Sequence, residues 1–131
     1  MSNPGLGVMI QALGGSRGDI EKFKRCMGKV IQGFEHDDES LTIKFRKENL
    51  VVKDDGQSCC EHRYITIDDN LDDFIGAKFE NIIEKELKEV DDDGEYHEMM
   101  FVDIKTSKGN IQLVTHNEHN GYYGGFWLVV E

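Results

Sequence analysis

HEMMFVDIKTSKGNIQLVT, residues 97–115, is the stretch that decides the fold. Apolar residues lie on both sides of a polar segment, Ser107-Lys108-Gly109-Asn110, which is typical of a hairpin turn. The apolar residues of the first arm can face both sides of a strand. The segment therefore predicts an antiparallel pair formed by residues 97–106 and 111–115.

Further strand signals precede this hairpin. Leu41, Ile43 and Phe45 alternate with polar residues, the period-two pattern of a half-buried strand. Together with residues 30–34 and 50–52, they predict an antiparallel meander. Further strands are predicted at 58–67 and 126–130 at the ends of the two halves described below.

Two short helices are predicted from capping signals. The first begins at Asp19, buries a stripe that ends at Met27, and stops at Gly28. The second follows Asp68-Asp69 and stops at Gly76.

Residues 79–90 fit a helical apolar stripe, but a comparison of the two halves favours a strand. Met27-Gly28-Lys29-Val30-Ile31 and Ile75-Gly76-Ala77-Lys78-Phe79 each end a helix with glycine and enter apolar sequence. We therefore predict an α+β fold: one mainly antiparallel sheet of about eight strands, with two short helices and loosely duplicated halves. We expect residues 1–18 to form a flexible N-terminal arm and residues 19–131 to form a single domain with pseudo-repeats at 19–67 and 68–131.

The charge is strongly acidic and unevenly distributed. Residues 1–34 hold five Lys or Arg against two acids, whereas residues 35–131 hold ten against 24. Such a surface repels phosphates and anionic membranes, so we expect neither direct nucleic-acid binding nor membrane binding. The N-terminus lacks the pattern of a signal peptide, which predicts a cytoplasmic protein.

Two polar motifs carry the candidate chemistry. The first contains Cys59, Cys60, His62 and Arg63, and the second runs from His116 to Phe126. The second motif contains three aromatic residues beside its histidines and asparagines, which could line a site for a planar ligand. The candidate ligand-binding residues are Cys60, His62, Arg63, His116, Asn117, Glu118, His119, Asn120, Tyr122 and Tyr123.

Two other kinds of chemistry fit the same motifs. Thiolate and imidazole ligands suit tetrahedral zinc, so Cys59, Cys60, His116 and His119 are candidate metal ligands, although their spacing matches no zinc knuckle. Otherwise no cofactor is expected. Alternatively, Cys59 or Cys60 is the nucleophile of a cysteine hydrolase, with one of these histidines as its base. No catalytic residue follows from the motifs alone, and a protein without enzymatic activity is the primary expectation.

The motifs Cys59-Cys60-Glu61-His62-Arg63-Tyr64 and Thr115–Phe126 resemble those of an uncharacterised family of small phage and prophage proteins. Asp68-Asp69-Asn70-Leu71 and Phe74-Ile75-Gly76 extend the resemblance, which covers roughly residues 28–130. The resemblance implies a viral origin and expression inside a bacterial cell. It implies no activity, because the family has none that could be transferred.

A small acidic protein of this class is expected to bind and inhibit a host or defence complex, for example a CRISPR-type nucleoprotein. Its carboxylates would occupy a basic groove that normally holds nucleic acid. The residues expected to form this acidic surface are Asp37, Asp38, Glu39, Asp68, Asp69, Asp72, Asp73, Asp91, Asp92 and Asp93.

Overall fold

The computed structural model describes residues 17–54, 62–92, 95–119 and 128–130. Its elements are α1 (Arg17–Cys26), β1 (Gly33–His36), β2 (Ser40–Lys44), β3 (Asn49–Asp54), β4 (His62–Ile67), a 3-10 turn (Leu71–Phe74), β5 (Phe79–Asp92), β6 (Glu95–Thr106), β7 (Gly109–His119) and β8 (Leu128–Val130). Eight strands and one α-helix are therefore present in the described residues.

The strands form two antiparallel sheets of four strands each. The first sheet has the order β1-β2-β3-β8 and the second has the order β4-β7-β6-β5. Each half of the chain supplies three consecutive strands to one sheet, and its fourth strand pairs in the other sheet. The last strand of each half is thus exchanged between the sheets.

One hydrophobic cluster draws on both sheets and on α1. Leu41 and Leu50 of the first sheet are fully buried, as are Ile104 and Leu113 of the second. Phe23 of α1 joins the cluster through an edge-to-face contact with Phe79, at 5.5 Å between ring centroids. Apolar side chains from both sheets thus share the core.

The second sheet extends beyond the part that matches the first. Phe34 pairs with Ile43 in β1 and β2, while Ile82 pairs with Ile104 in β5 and β6. These partners are nine and 22 residues apart in sequence, so the second hairpin is 13 residues longer. The described residues of the two polar motifs lie on β4 and β7, beside this longer hairpin.

The mainly antiparallel arrangement and the eight strands are confirmed, but a single sheet with two helices is not. The chain forms two sheets, and the second predicted helix is only the four-residue 3-10 turn Leu71–Phe74. The side chain of Asn70 caps this turn by accepting from the N–H of Asp72. The turn does not lengthen into a helix, because its C-cap residue Ile75 adopts an extended conformation.

Boundaries differ at several predicted elements. α1 begins at Arg17 rather than Asp19, and β1 begins at Gly33, with only an isolated bridge at Val30. Strand β5 continues through Asp92, two residues beyond the predicted strand at 79–90. Residues 1–16, and the parts of the predicted strands at 58–61 and 126–127, lie outside the described residues.

The assignment of residues 79–90 to a strand is confirmed, and its irregular apolar pattern has a structural cause. The pairing of β5 shifts register between Phe79 and Asn81 and again between Glu84 and Glu86. Each β-bulge adds one residue and reverses which side chains face the core. Phe79 and Ile82 are therefore both fully buried although they are three residues apart. The duplication of the sequence and the domain boundaries stay predictions.

Candidate functional site

The two polar motifs are neighbours in the second sheet. Strand β4 pairs directly with β7, so that His62 lies opposite Glu118 and Arg63 lies opposite Asn117. The structure therefore brings part of each motif to the same place, at the end of the sheet formed by the longer hairpin. Cys59, Cys60, Asn120, Tyr122 and Tyr123 lie outside the described residues.

Strand β7 separates the residues of the second motif onto two faces. The side chains of Asn117 and His119 face inward, where Asn117 is fully buried and His119 is 8% exposed. His116 and Glu118 point to the outer face of the sheet. Because alternate residues of a strand face opposite sides, the structure does not bring His116 and His119 together.

On the outer face, five side chains from three strands form a hydrogen-bonded network, here called the outer-face cluster. Its members are Tyr64, Thr66, His97, His116 and Glu118. The Tyr64 hydroxyl donates to Glu118 Oε2 at 2.5 Å, and its ring stacks on that of His116 at 4.4 Å. His62 packs beside Tyr64, with 4.9 Å between the ring centroids.

His116 is at the centre of this network. Its Nε2 lies 2.8 Å from Thr66 Oγ1, and its Nδ1 lies 2.9 Å from His97 Nε2. His97 Nε2 also lies 3.4 Å from the Tyr64 hydroxyl. Two neutral imidazoles in such contact require one ring to donate and the other to accept, so the tautomers of His97 and His116 are linked.

The surroundings change the proton affinities of two members of the cluster. Burial, followed by the Glu118 carboxylate, raises the pKa of Tyr64 to about 12, because both disfavour the phenolate. Burial and the neighbouring His97 lower the pKa of His116, and the charge of Glu118 opposes this effect. At neutral pH, Tyr64 is a hydrogen-bond donor and His116 is an uncharged base.

A second set of polar residues, here called the buried polar cluster, lies between the inner face of this sheet and the end of β3 in the other sheet. It comprises Asp54, Arg63, Glu98, Asn117 and His119. Arg63 Nη1 bonds Asp54 Oδ2 at 2.8 Å, joining β4 to β3 of the other sheet. Glu98 Oε1 lies 3.0 Å from His119 Nε2. A predominantly apolar core thus changes to a polar one at this end of the molecule.

A cleft of about 250 Å³ opens beside the Arg63 and Asp54 pair. Its lining carries charges of both signs, from Lys53 and Arg63 and from three carboxylates, Asp38, Glu39 and Asp54. Tyr64 and Ile65 complete the lining. The cleft lies between the tip of the β1–β2 hairpin and the edge strand β4.

The predicted acidic residues divide by role. Asp37 accepts backbone N–H groups of Glu39 and Ser40, which lower its pKa, and Asp69 accepts the N–H of Gln112. These two carboxylates stabilise local structure. The other carboxylates with described side chains are exposed and form no ion pair with a described residue: Asp38, Glu39, Asp68, Asp72 and Asp73. For Asp91 and Asp92 only the backbone is described, and Asp93 lies outside the described residues.

Within the described parts of the chain, no group of three or more His, Cys, Asp or Glu side chains is arranged to hold a metal ion. The predicted zinc ligands His116 and His119 lie on opposite faces of β7. The described portion also contains no helix long and apolar enough to cross a membrane.

Several members of the site were not among the sequence candidates. Tyr64, Thr66 and His97 belong to the outer-face cluster, and Asp54 and Glu98 belong to the buried polar cluster. The sequence assigned His97 to a strand but gave it no partner. Only the alternation of β6 and β7 and their register place it beside His116.

Comparison with known proteins identifies a family whose model matches the chain. No curated protein and no solved structure matches the chain. A family model described as a domain of unknown function, DUF7448, matches residues 24–129, which is most of the chain. The match includes both clusters and the acidic residues, so the chain belongs to the family described as domain of unknown function DUF7448.

Proposed function

We propose that this protein is a binding protein of phage type that acts in the bacterial cytoplasm, where it occupies a basic surface of a host or defence complex. The observation that supports this function best is the set of exposed carboxylates beside β4. Five of them have no ion-pair partner among the described residues: Asp38, Glu39, Asp68, Asp72 and Asp73.

These carboxylates lie at the tip of the β1–β2 hairpin and in the segment that follows β4, and this set is here called the acidic edge. The backbone carbonyl of Asp38 accepts the N–H of Ile65, so the tip of the β1–β2 hairpin lies against β4. Asp68 follows three residues after Ile65 and is therefore about 10 Å further along the chain, at roughly 3.3 Å per residue. The 3-10 turn, with Asp72 and Asp73, comes directly afterwards.

Carboxylates that form no ion pair with a described residue keep their charge available to a partner. Elsewhere on the surface, Glu48 pairs with Arg25 and Lys29, and Glu35 pairs with Lys44, which neutralises those acids locally. The acidic edge therefore carries net negative charge that is available to a basic groove. Such complementarity raises association rates and selects basic partners over acidic ones.

Capture from lysate of the bacterial host, repeated with charge variants, tests this proposal. We expect the captured complex to dissociate as salt rises and to weaken in the pair Asp72→Asn with Asp73→Asn. The matched control is the pair Glu21→Gln with Glu80→Gln, which makes the same charge change at exposed positions elsewhere. Capture that is equal in both pairs, or unaffected by salt, contradicts the proposal. A nucleic acid that binds the captured complex should also compete with the protein.

The cleft favours a second candidate function, the binding of a small ligand. Lys53 and Arg63 offer positive groups, and Asp38 and Glu39 offer carboxylates, around the same space. This lining suits a small molecule that carries both charges. Native mass spectrometry of freshly purified protein should then show a bound molecule that is lost in Lys53→Ala. Elemental analysis of protein purified without a metal-affinity tag tests the zinc alternative, which predicts one zinc per chain.

A further inference from the structure

The outer-face cluster contains a hydroxyl group, a base and a group that orients the base. Thr66 Oγ1 lies 2.8 Å from His116 Nε2, and His116 Nδ1 lies 2.9 Å from His97 Nε2. Activated nucleophiles are recognised by this sequence of contacts, whatever fold carries them. We propose that Thr66 is the nucleophile of an acyl-transfer site, with His116 as its general base and His97 as a positioning residue.

One pair of tautomers gives every group its role. When His116 carries its proton on Nδ1, that N–H donates to His97 Nε2, and His116 Nε2 accepts the Thr66 hydroxyl proton. Tyr64 directs its own proton to Glu118, so it does not compete for His97 Nε2. All five side chains thus have hydrogen-bond partners in the tautomeric state that His116 needs in order to act as a general base.

The electrostatic setting agrees with this assignment. Burial and His97 lower the pKa of His116, which keeps its ring uncharged and able to accept a proton at neutral pH. The Glu118 carboxylate favours the protonated ring and so stabilises the imidazolium that forms as Thr66 attacks. The tautomers of the two histidines and the charge of Glu118 therefore both favour proton transfer from Thr66 to His116.

The position of Thr66 indicates the class of substrate. Its side chain is exposed, and Val114 and then Phe101 lie in the same cross-strand row. Both neighbours are partly exposed and apolar, so they can contact a short hydrocarbon chain. The fitting substrate is an activated ester with a small apolar acyl group.

The reaction proceeds in two steps, acylation of Thr66 and hydrolysis of the resulting ester. Thr66 Oγ bonds to the ester carbonyl carbon while His116 Nε2 takes the hydroxyl proton, and the bond to the leaving oxygen then breaks. The leaving alkoxide receives that proton, and the acyl group stays on Thr66. Water attacks this new ester with His116 again as base, which releases the acid and regenerates the hydroxyl.

The test uses the full chain with p-nitrophenyl butyrate. We expect a butyryl group on the peptide containing Thr66, together with release of nitrophenol. Thr66→Val should lose the adduct, Thr66→Ser should keep it, and His116→Gln should slow its formation by about 100-fold or more. Thr42→Val is the matched control, because Thr42 lies on β2 and forms no side-chain hydrogen bond with a described residue.

His97→Gln separates positioning from a purely structural role. Acylation should slow, and the midpoint of its pH dependence should move, while Thr66 remains the modified residue. Nitrogen NMR of His116 should show the proton on Nδ1. A proton on Nε2, acylation that His116→Gln leaves unchanged, or equal modification at Thr42 would each overturn the proposal. Thr66→Ser keeps the test valid if the valine variant fails to fold.

Discussion

Val30 and Lys78 face each other in an isolated antiparallel bridge, at the centre of four backbone hydrogen bonds that join the starts of the two halves. The bonds are Gly28 N–H to Phe79 C=O at 2.6 Å, Gly76 N–H to Ile31 C=O at 2.9 Å, Ile31 N–H to Ala77 C=O at 2.8 Å and Phe79 N–H to Lys29 C=O at 2.9 Å. If residues 28–31 and residues 76–79 change places, each of these four hydrogen bonds coincides with another of the four. The two halves therefore meet around a local two-fold relation.

Gly28 and Gly76 occupy equivalent places beside this bridge, with φ values of 88° and 90°. An added side chain is strained in this conformation, so Gly28→Ala and Gly76→Ala should each destabilise the fold by about 1–2 kcal/mol. Around Gly28 no heavy atom lies within 4 Å of the added carbon, so the cost there comes from the backbone alone. Urea unfolding measures the change, and Gly33→Ala, whose φ is not positive, should show no such loss.

Arg63 and Asp54 form a buried ion pair whose side chains are 9% and 3% exposed. Arg63→Met should destabilise the protein by about 3–5 kcal/mol, because it leaves a carboxylate buried without this cation. Arg25→Met, which breaks the exposed pair with Glu48, should cost far less, because solvent screens exposed charges. Urea unfolding of both variants gives the comparison, and equal losses would contradict it. Adding Asp54→Leu to Arg63→Met should recover stability.

Tyr64 has a pKa raised to about 12 by burial and by the Glu118 carboxylate. The folded state therefore keeps its proton longer than the unfolded state, whose tyrosine pKa is about 10. This contribution to stability is complete below about pH 10 and is lost as the pH rises towards 12. In ultraviolet titration, Glu118→Gln should lower the pKa of Tyr64. Subtracting the Tyr64→Phe titration isolates this tyrosine from the other three.

His116 shows the opposite dependence, because its pKa is lowered in the folded state. The unfolded histidine, with a pKa of about 6.5, binds protons more readily below that pH. The free energy of unfolding should therefore be highest above about pH 6.5 and should fall as the pH drops towards 5. Replacing the ring in His116→Gln should reduce this slope, as measured by urea unfolding at several pH values. NMR titration of the imidazole gives an independent measurement.

Cys26 is fully buried, and burial raises the pKa of its thiol to about 11. Only the thiolate reacts readily with alkylating agents, so Cys26 should stay unmodified in the native protein at pH 8. It should react once urea unfolds the chain. Peptide mass spectrometry separates it from Cys59 and Cys60, and rapid selective labelling of either of those would support the cysteine-hydrolase alternative.

Local signals in the sequence were sufficient for most strands and for α1. The alternation of Leu41, Ile43 and Phe45 predicted β2, and all three side chains are buried. Strand β5 was harder to recognise, because its bulges give Phe79 and Ile82 a helix-like spacing. For β5, the similarity between residues 27–31 and residues 75–79 predicted a strand, whereas the local spacing of apolar residues favoured a helix.

The alternation of buried and exposed residues along β7 is also sufficient to predict that the second motif is divided between the two faces of the sheet. Ile111 and Leu113 are buried and in phase with Asn117 and His119, so extending β7 by four residues separates His116 from His119. The pairing of β4 with β7 could not be found in this way. It depends on packing between distant segments, and it is what places Thr66 beside His116.

The exchange of final strands between the two sheets links folding to synthesis of the chain. Val52 of β3 pairs with Val130 of β8, so one edge of the first sheet stays open until β8 has been made. The second sheet likewise needs β4, which the first half supplies. Neither half can complete its sheet without a strand from the other half, and contacts so distant in sequence slow folding. The first sheet should therefore close only after β8 has been synthesised, and until then the exposed β3 edge is a natural target for chaperones.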